Sequence, residues 1–116
     1  MIRVVKHRYD HIKNFFEFVE CDYYDDFELI RDVLLDDFHA KLLEEEDAIW
    51  AKGAVFDLNN MEVNLMYHAD MGNGIYSYKN DPEITAFIEK LANDMIPYIV
   101  DRLNNPPRRF FKKKEK

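Results

Sequence analysis

The chain has 116 residues, 47% of them hydrophobic and 15% aromatic, with one cysteine and a formal net charge of −7. A chain of that length is one domain, large enough to bury a core without disulfides or a structural metal. An acidic body repels phosphate, which argues against a nucleic-acid surface, and no apolar run approaches the length of a membrane-spanning helix.

The charge is unevenly placed. Residues 22–47 hold eleven acids against Arg31 and Lys41, a net of −9, whereas residues 108–116 hold six basic residues against Glu115. Cys21 has no internal partner, and the N-terminus lacks an apolar signal core, so a cytoplasmic location is expected.

Taken in chain order, Val5, Tyr9, Ile12, Phe15, Phe16 and Val19 recur at helical spacing. They predict an amphipathic first helix over about 6–20, with residues 1–5 readable instead as a short strand. Cys21 to Asp26 reads as a turn, with Asp25 or Asp26 as N-cap. Phe27, Ile30, Leu34, Phe38 and Leu42 then predict a second helix from 26 to 45. Leu29 and Val33 fall nearer its opposite side, which would suit a homodimer contact. Asp25, Glu28, Asp32 and Asp36 align along this helix, where like charges repel.

From residue 48 the period changes to two. Residues 48–57 predict a strand, Asn59-Asn60 a tight turn, and Met61 to His68 a half-buried strand. Gly72-Asn73-Gly74 reads as another turn before a third strand at 75–79. Trp50, Phe56, Tyr76 and Tyr78 are expected to stack across this meander. Asp81-Pro82 opens a last helix running through residue 103, kinked near Asn93 by Pro97, and Asn104 to Pro107 end it.

The expected fold is therefore α+β: two N-terminal helices, a three-stranded antiparallel meander and a C-terminal helix packed on the sheet. It forms a single domain over 1–105, followed by a flexible basic tail over 106–116.

Candidate chemistry is sparse. His7 and His11 share a helix face if the first helix reaches them, with Asp10 and His68 as further ligands, but two histidines do not make a metal site. Asp36 and His39 could pair on the second helix. Acidic neighbours raise the pKa of Cys21 and disfavour a nucleophile. No GxSxG, CxxC, P-loop or GxGxxG occurs. The expectation is a non-enzyme that needs no cofactor and no metal.

The acidic–aromatic run stands out instead. Tyr23 and Tyr24 offer rigid contact area, and Asp22, Asp25, Asp26, Glu28, Asp32 and Asp36 would pair with a basic partner. In size, acidity and this block, residues 1–105 resemble the immunity proteins of bacterial polymorphic toxins and contact-dependent growth inhibition. The resemblance implies an inhibitor that occludes a basic, nuclease-like toxin, with carboxylates in place of phosphates. The alternatives are a non-catalytic phage or mobile-element adaptor, or a metal-dependent enzyme on the His7/His11 face.

Overall fold

A computed structural model describes residues 1–105. The basic tail expected over 106–116 lies outside the described residues. The first strands are β1 (Arg3–His7) and β2 (Phe15–Val19). Helix α1 (Asp26–Asp32) follows and runs into a π-helical turn, Val33–Asp37. Strands β3 (Lys41–Asp47), β4 (Ala51–Leu58), β5 (Met61–His68) and β6 (Gly72–Tyr76) precede α2 (Pro82–Asn104). Every strand pairing is antiparallel, in the order β1-β2-β6-β5-β4-β3.

The α+β class stands, but the expected arrangement does not. The sheet has six strands rather than three, and the first predicted helix is the β1–β2 hairpin. The reason lies in β2. Phe16 and Phe18 enter the main core beneath the helices, while Phe15 is buried in a second cluster on the opposite face with Ile12 and Tyr76. A strand buried on both faces reads as a continuous apolar run, which periodicity cannot separate from a helix segment.

The second predicted helix stops early. Phe38 donates its N–H to the Val33 carbonyl, Ala40 donates to that of Leu34, and His39 between them takes a φ of 57°. Continuing would have put Glu44, Glu45, Glu46 and Asp47 at a helix C-terminus, where negative charge is unfavourable. In β3 successive acids point to opposite faces instead.

Asn59 and Asn60 make the expected tight turn, both with positive φ, joining Leu58 to Met61. Gly72-Asn73-Gly74 is not a turn. The chain reverses one step earlier, where Met71 N–H donates to the His68 carbonyl, and the two glycines lie within β6. At Gly74 a side chain would meet the Phe15 ring and, at 2.7 Å, the Phe16 carbonyl oxygen. At Gly72, whose φ is 76°, it would meet the Asp22 carboxyl group. These glycines serve close approach of neighbouring groups rather than reversal of the chain.

Helix α2 begins as predicted: Asp81 caps it by accepting from the Glu83 N–H at 2.8 Å, and Pro82 opens its first turn. Ile88, Leu91, Ala92, Met95 and Ile99 bury its inner stripe over β1, β2 and β6 and against α1. Both helices thus cover one face of the sheet. No helix among the described residues is long and apolar enough to cross a membrane.

Candidate functional site: an acidic and aromatic end of the sheet

The turn after β2 positions the tyrosines. Asn73, fully buried in β6, donates through Nδ2 to the carbonyls of Cys21 (3.0 Å) and Tyr23 (2.9 Å). Its own backbone N–H donates to Asp22 Oδ1 at 3.1 Å. Asp26 closes the turn by accepting from the Tyr23 N–H. Asp25 stands at the N-cap position but makes no side-chain cap bond.

This fixed turn presents Tyr23, which is 78% exposed, and seats Tyr24 against the sheet. Tyr24 donates its hydroxyl to Asp47 at 3.2 Å and packs edge-on against Tyr67. Beneath it lies Lys52, a buried lysine on β4, with Nζ 3.8 Å from the centre of the Tyr24 ring and 3.3 Å from Glu28 Oε1. A cation on an aromatic face beside a carboxylate explains how β4 tolerates a buried ammonium.

The acidic column expected along one helix is dispersed and largely neutralised from within. Lys52 takes Glu28, and Arg31 takes Asp32 and Glu45. Arg102 of α2 takes Asp36 and Asp37. The π-helical turn adds a residue to the helical repeat, which turns Asp36 toward α2 and out of line with Asp32. Asp25 makes no ion pair among the described residues. The helix needed no interleaved lysines because its cations come from β4 and α2.

Asp22 is a structural group. Burial pushes its carboxyl up to about 7, with a hydrogen bond to Glu17 adding to the rise and the Asn73 N–H opposing it. A buried carboxyl raised this far keeps its proton. The folded chain keeps that proton up to about pH 7, whereas an unfolded Asp releases it near 4. Stability from this group is therefore complete below pH 4 and lost as pH rises through 7. Asp22→Asn should flatten the wild-type decline in melting temperature between pH 4 and pH 7. An unchanged slope would contradict a proton held on Asp22.

The reading of Trp50 is overturned. It does not stack on Phe56, Tyr76 or Tyr78 but sits at the β3–β4 turn, 71% exposed, beside Ile49 at 80%. That turn is closed by the Ala48 N–H donating to the Ala51 carbonyl, and Tyr24 bonds Asp47 at its base. Tyr23, Tyr24, Asp47, Ile49 and Trp50 therefore belong to one end of the molecule. Glu44 and Glu46 line the adjoining strand, exposed and without ion pairs among the described residues. The overlooked signal is in the sequence: Glu44 to Asp47 directly precede Ala48-Ile49-Trp50, so the apolar pair follows four acids rather than a core stripe.

The other candidates are placed elsewhere. His7 lies on β1 with Nε2 2.6 Å from Glu17 Oε1, and His11 is exposed in the β1–β2 connection, so no helix face unites them. No cluster of three or more metal-ligating side chains occurs among the described residues. Asp36 is held by Arg102 rather than by His39. Burial, followed by Asp26 and Asp22, pushes the Cys21 thiol up to about 12, which leaves it protonated at neutral pH. Val33 is buried in the core, and Leu29 is half-buried against it. A groove of about 260 Å³ lies between α2 and the β4–β5 turn, lined by Phe38, Leu58, Phe87 and Leu91 and by the Lys90–Asp94 ion pair.

No protein-family model matches this sequence, and no curated protein or solved structure matches it.

Proposed function

We propose that this chain is a small acidic protein-binding inhibitor of the immunity type, engaging a basic, nuclease-like protein. The observation that carries the reading is the end of the sheet where the turn bearing exposed Tyr23 and Asp25 is tied by the Tyr24–Asp47 hydrogen bond to the turn bearing exposed Ile49 and Trp50, with Glu44 and Glu46 exposed on the adjoining strand. Exposed aromatic anchors ringed by one sign of charge combine contact energy with electrostatic steering. Large apolar side chains held at a turn, away from the core, suit an interface better than solubility alone.

The contact set shifts within the acidic–aromatic block. Tyr23, Tyr24 and Asp25 stay in it, Asp22 and Asp26 hold the turn in shape, and Glu28, Asp32 and Asp36 serve internal ion pairs. Trp50 and the acids of β3 join it. Occlusion is the mechanism: the aromatic residues fill a pocket while the carboxylates meet cations that otherwise hold phosphate.

Replacing Tyr23 and Trp50 together by Ala should weaken capture of the basic partner at least about a hundredfold, the size of a two-anchor loss. Reversing Glu44 and Glu46 to Lys should chiefly slow association, most strongly at low salt. Retained affinity in the Tyr23→Ala/Trp50→Ala protein, with the fold intact by circular dichroism, would remove this end of the molecule from the interface.

A further inference from the structure

The two outer strands of the sheet carry opposite charge. β3 offers Glu44 and Glu46, free of ion pairs among the described residues, beside Glu45, which Arg31 also engages, and Asp47, which accepts from Tyr24; β1 offers Lys6, likewise free, beside Arg3, 3.7 Å from Glu20, and His7, held by Glu17. Each pairs with one neighbour only among the described strands, so each leaves one backbone edge unpaired. Unpaired edges are templates for another strand, and like charges set opposite each other oppose such pairing. Two copies of β3 therefore repel, and so do two copies of β1. β3 and β1 complement each other.

We propose that copies of this chain associate head to tail, with the acidic β3 edge of one copy pairing antiparallel with the basic β1 edge of the next. The topology favours it. Six strands, each antiparallel to its neighbour, make β3 run opposite to β1. A second copy displaced sideways along the sheet thus presents β1 antiparallel to β3, with its helices on the same face.

The strand registers also agree. Arg3, Val5 and His7 lie on the face away from the helices, as their partners Val19, Glu17 and Phe15 show. Glu44 and Glu46, opposite Val55 and Gly53, lie on that same face. Setting Val5 against Glu46 puts Lys6 against Glu45 and His7 against Glu44, with Arg3 diagonal to Glu46. The contact is heterologous, so it extends rather than closes, and one short ladder makes it weak. It is independent of the partner reading, because it needs only the purified chain.

Sedimentation velocity of the full chain tests it. At about 30 mM salt the average mass should rise above 14.0 kDa as concentration increases, and at about 500 mM it should fall back to the monomer as charge is screened. Lys6→Glu alone, and Glu44→Lys/Glu46→Lys alone, should each stay monomeric under the low-salt condition. Mixed one to one, they should associate, because the first retains an acidic β3 and the second a basic β1. That rescue also shows that both variants are folded. A wild-type chain that stays monomeric at low salt, or a mixture that stays monomeric, would overturn the proposal.

Discussion

Gly74→Ala is expected to lower stability by about 3 kcal/mol or more, at the upper end of what overpacking costs in a filled site. In a domain of this size that is a fall in melting temperature of roughly 12–20 °C. The cause is local. The new methyl group would meet both the Phe15 ring and the Phe16 carbonyl oxygen, and the second of these is backbone within the adjoining strand. A ring can rotate, but a carbonyl can move only if the β2–β6 ladder moves. Gly53→Ala is the natural comparison, since among the described residues nothing beyond its chain neighbours lies within 4 Å of a methyl group there. It should be neutral or slightly stabilising. Thermal denaturation of the two variants checks both, and equal melting temperatures would show that Gly74 is not a contact point.

Asn73→Ala comes next in size, at about 2–4 kcal/mol, because it removes both side-chain donors that satisfy the carbonyls of Cys21 and Tyr23. Among the described residues Asn73 Oδ1 is buried without a hydrogen-bond partner, so there the side chain acts through its amide nitrogen. Asn73→Asp should therefore be worse than Ala: a carboxylate cannot donate, and it would place a buried charge beside the Asp22 carboxyl group. The same change should loosen the Tyr23–Tyr24 turn. Amide hydrogen exchange at residues 22–26 should accelerate even at temperatures where the remaining sheet stays protected. Urea denaturation gives the first quantity. Protection of the turn equal to wild type would show that Asn73 does not hold it.

Some of this architecture was legible in the residues. Asp81-Pro82 and the apolar stripe behind it specify α2, because a cap, a rigid first residue and one buried face all agree. Asn59-Asn60 between alternating strands specifies the β4–β5 hairpin for the same reason. Phe15-Phe16-Glu17-Phe18-Val19 misleads because burial on both faces erases the alternation that marks a strand. The acids at 25, 28, 32 and 36 mislead in another way. Their spacing is helical, but the cations that answer them, Lys52 and Arg102, come from distant elements, and the π-helical turn shifts the last acid out of line.

The acidic–aromatic character of the candidate surface was legible, and its membership only in part. Tyr23 is exposed and Tyr24 lies at the same end, held by Asp47 and Lys52. The period-two pattern from residue 48 reads Trp50 as a strand residue stacked on its neighbours, whereas a tight turn between two strands places it outside. Asp22 reads as one more surface acid until Gly72 and Asn73 are seen to enclose its carboxyl group.

The most direct measurement of the central claim is capture of partners by the purified chain from its source cell, eluted with a salt step and read by mass spectrometry. One basic protein should be recovered at near-equal amounts, retained to high salt by the wild-type chain and lost by the Tyr23→Ala/Trp50→Ala variant. Many proteins released at modest salt, or the same protein retained equally by the variant, would contradict it.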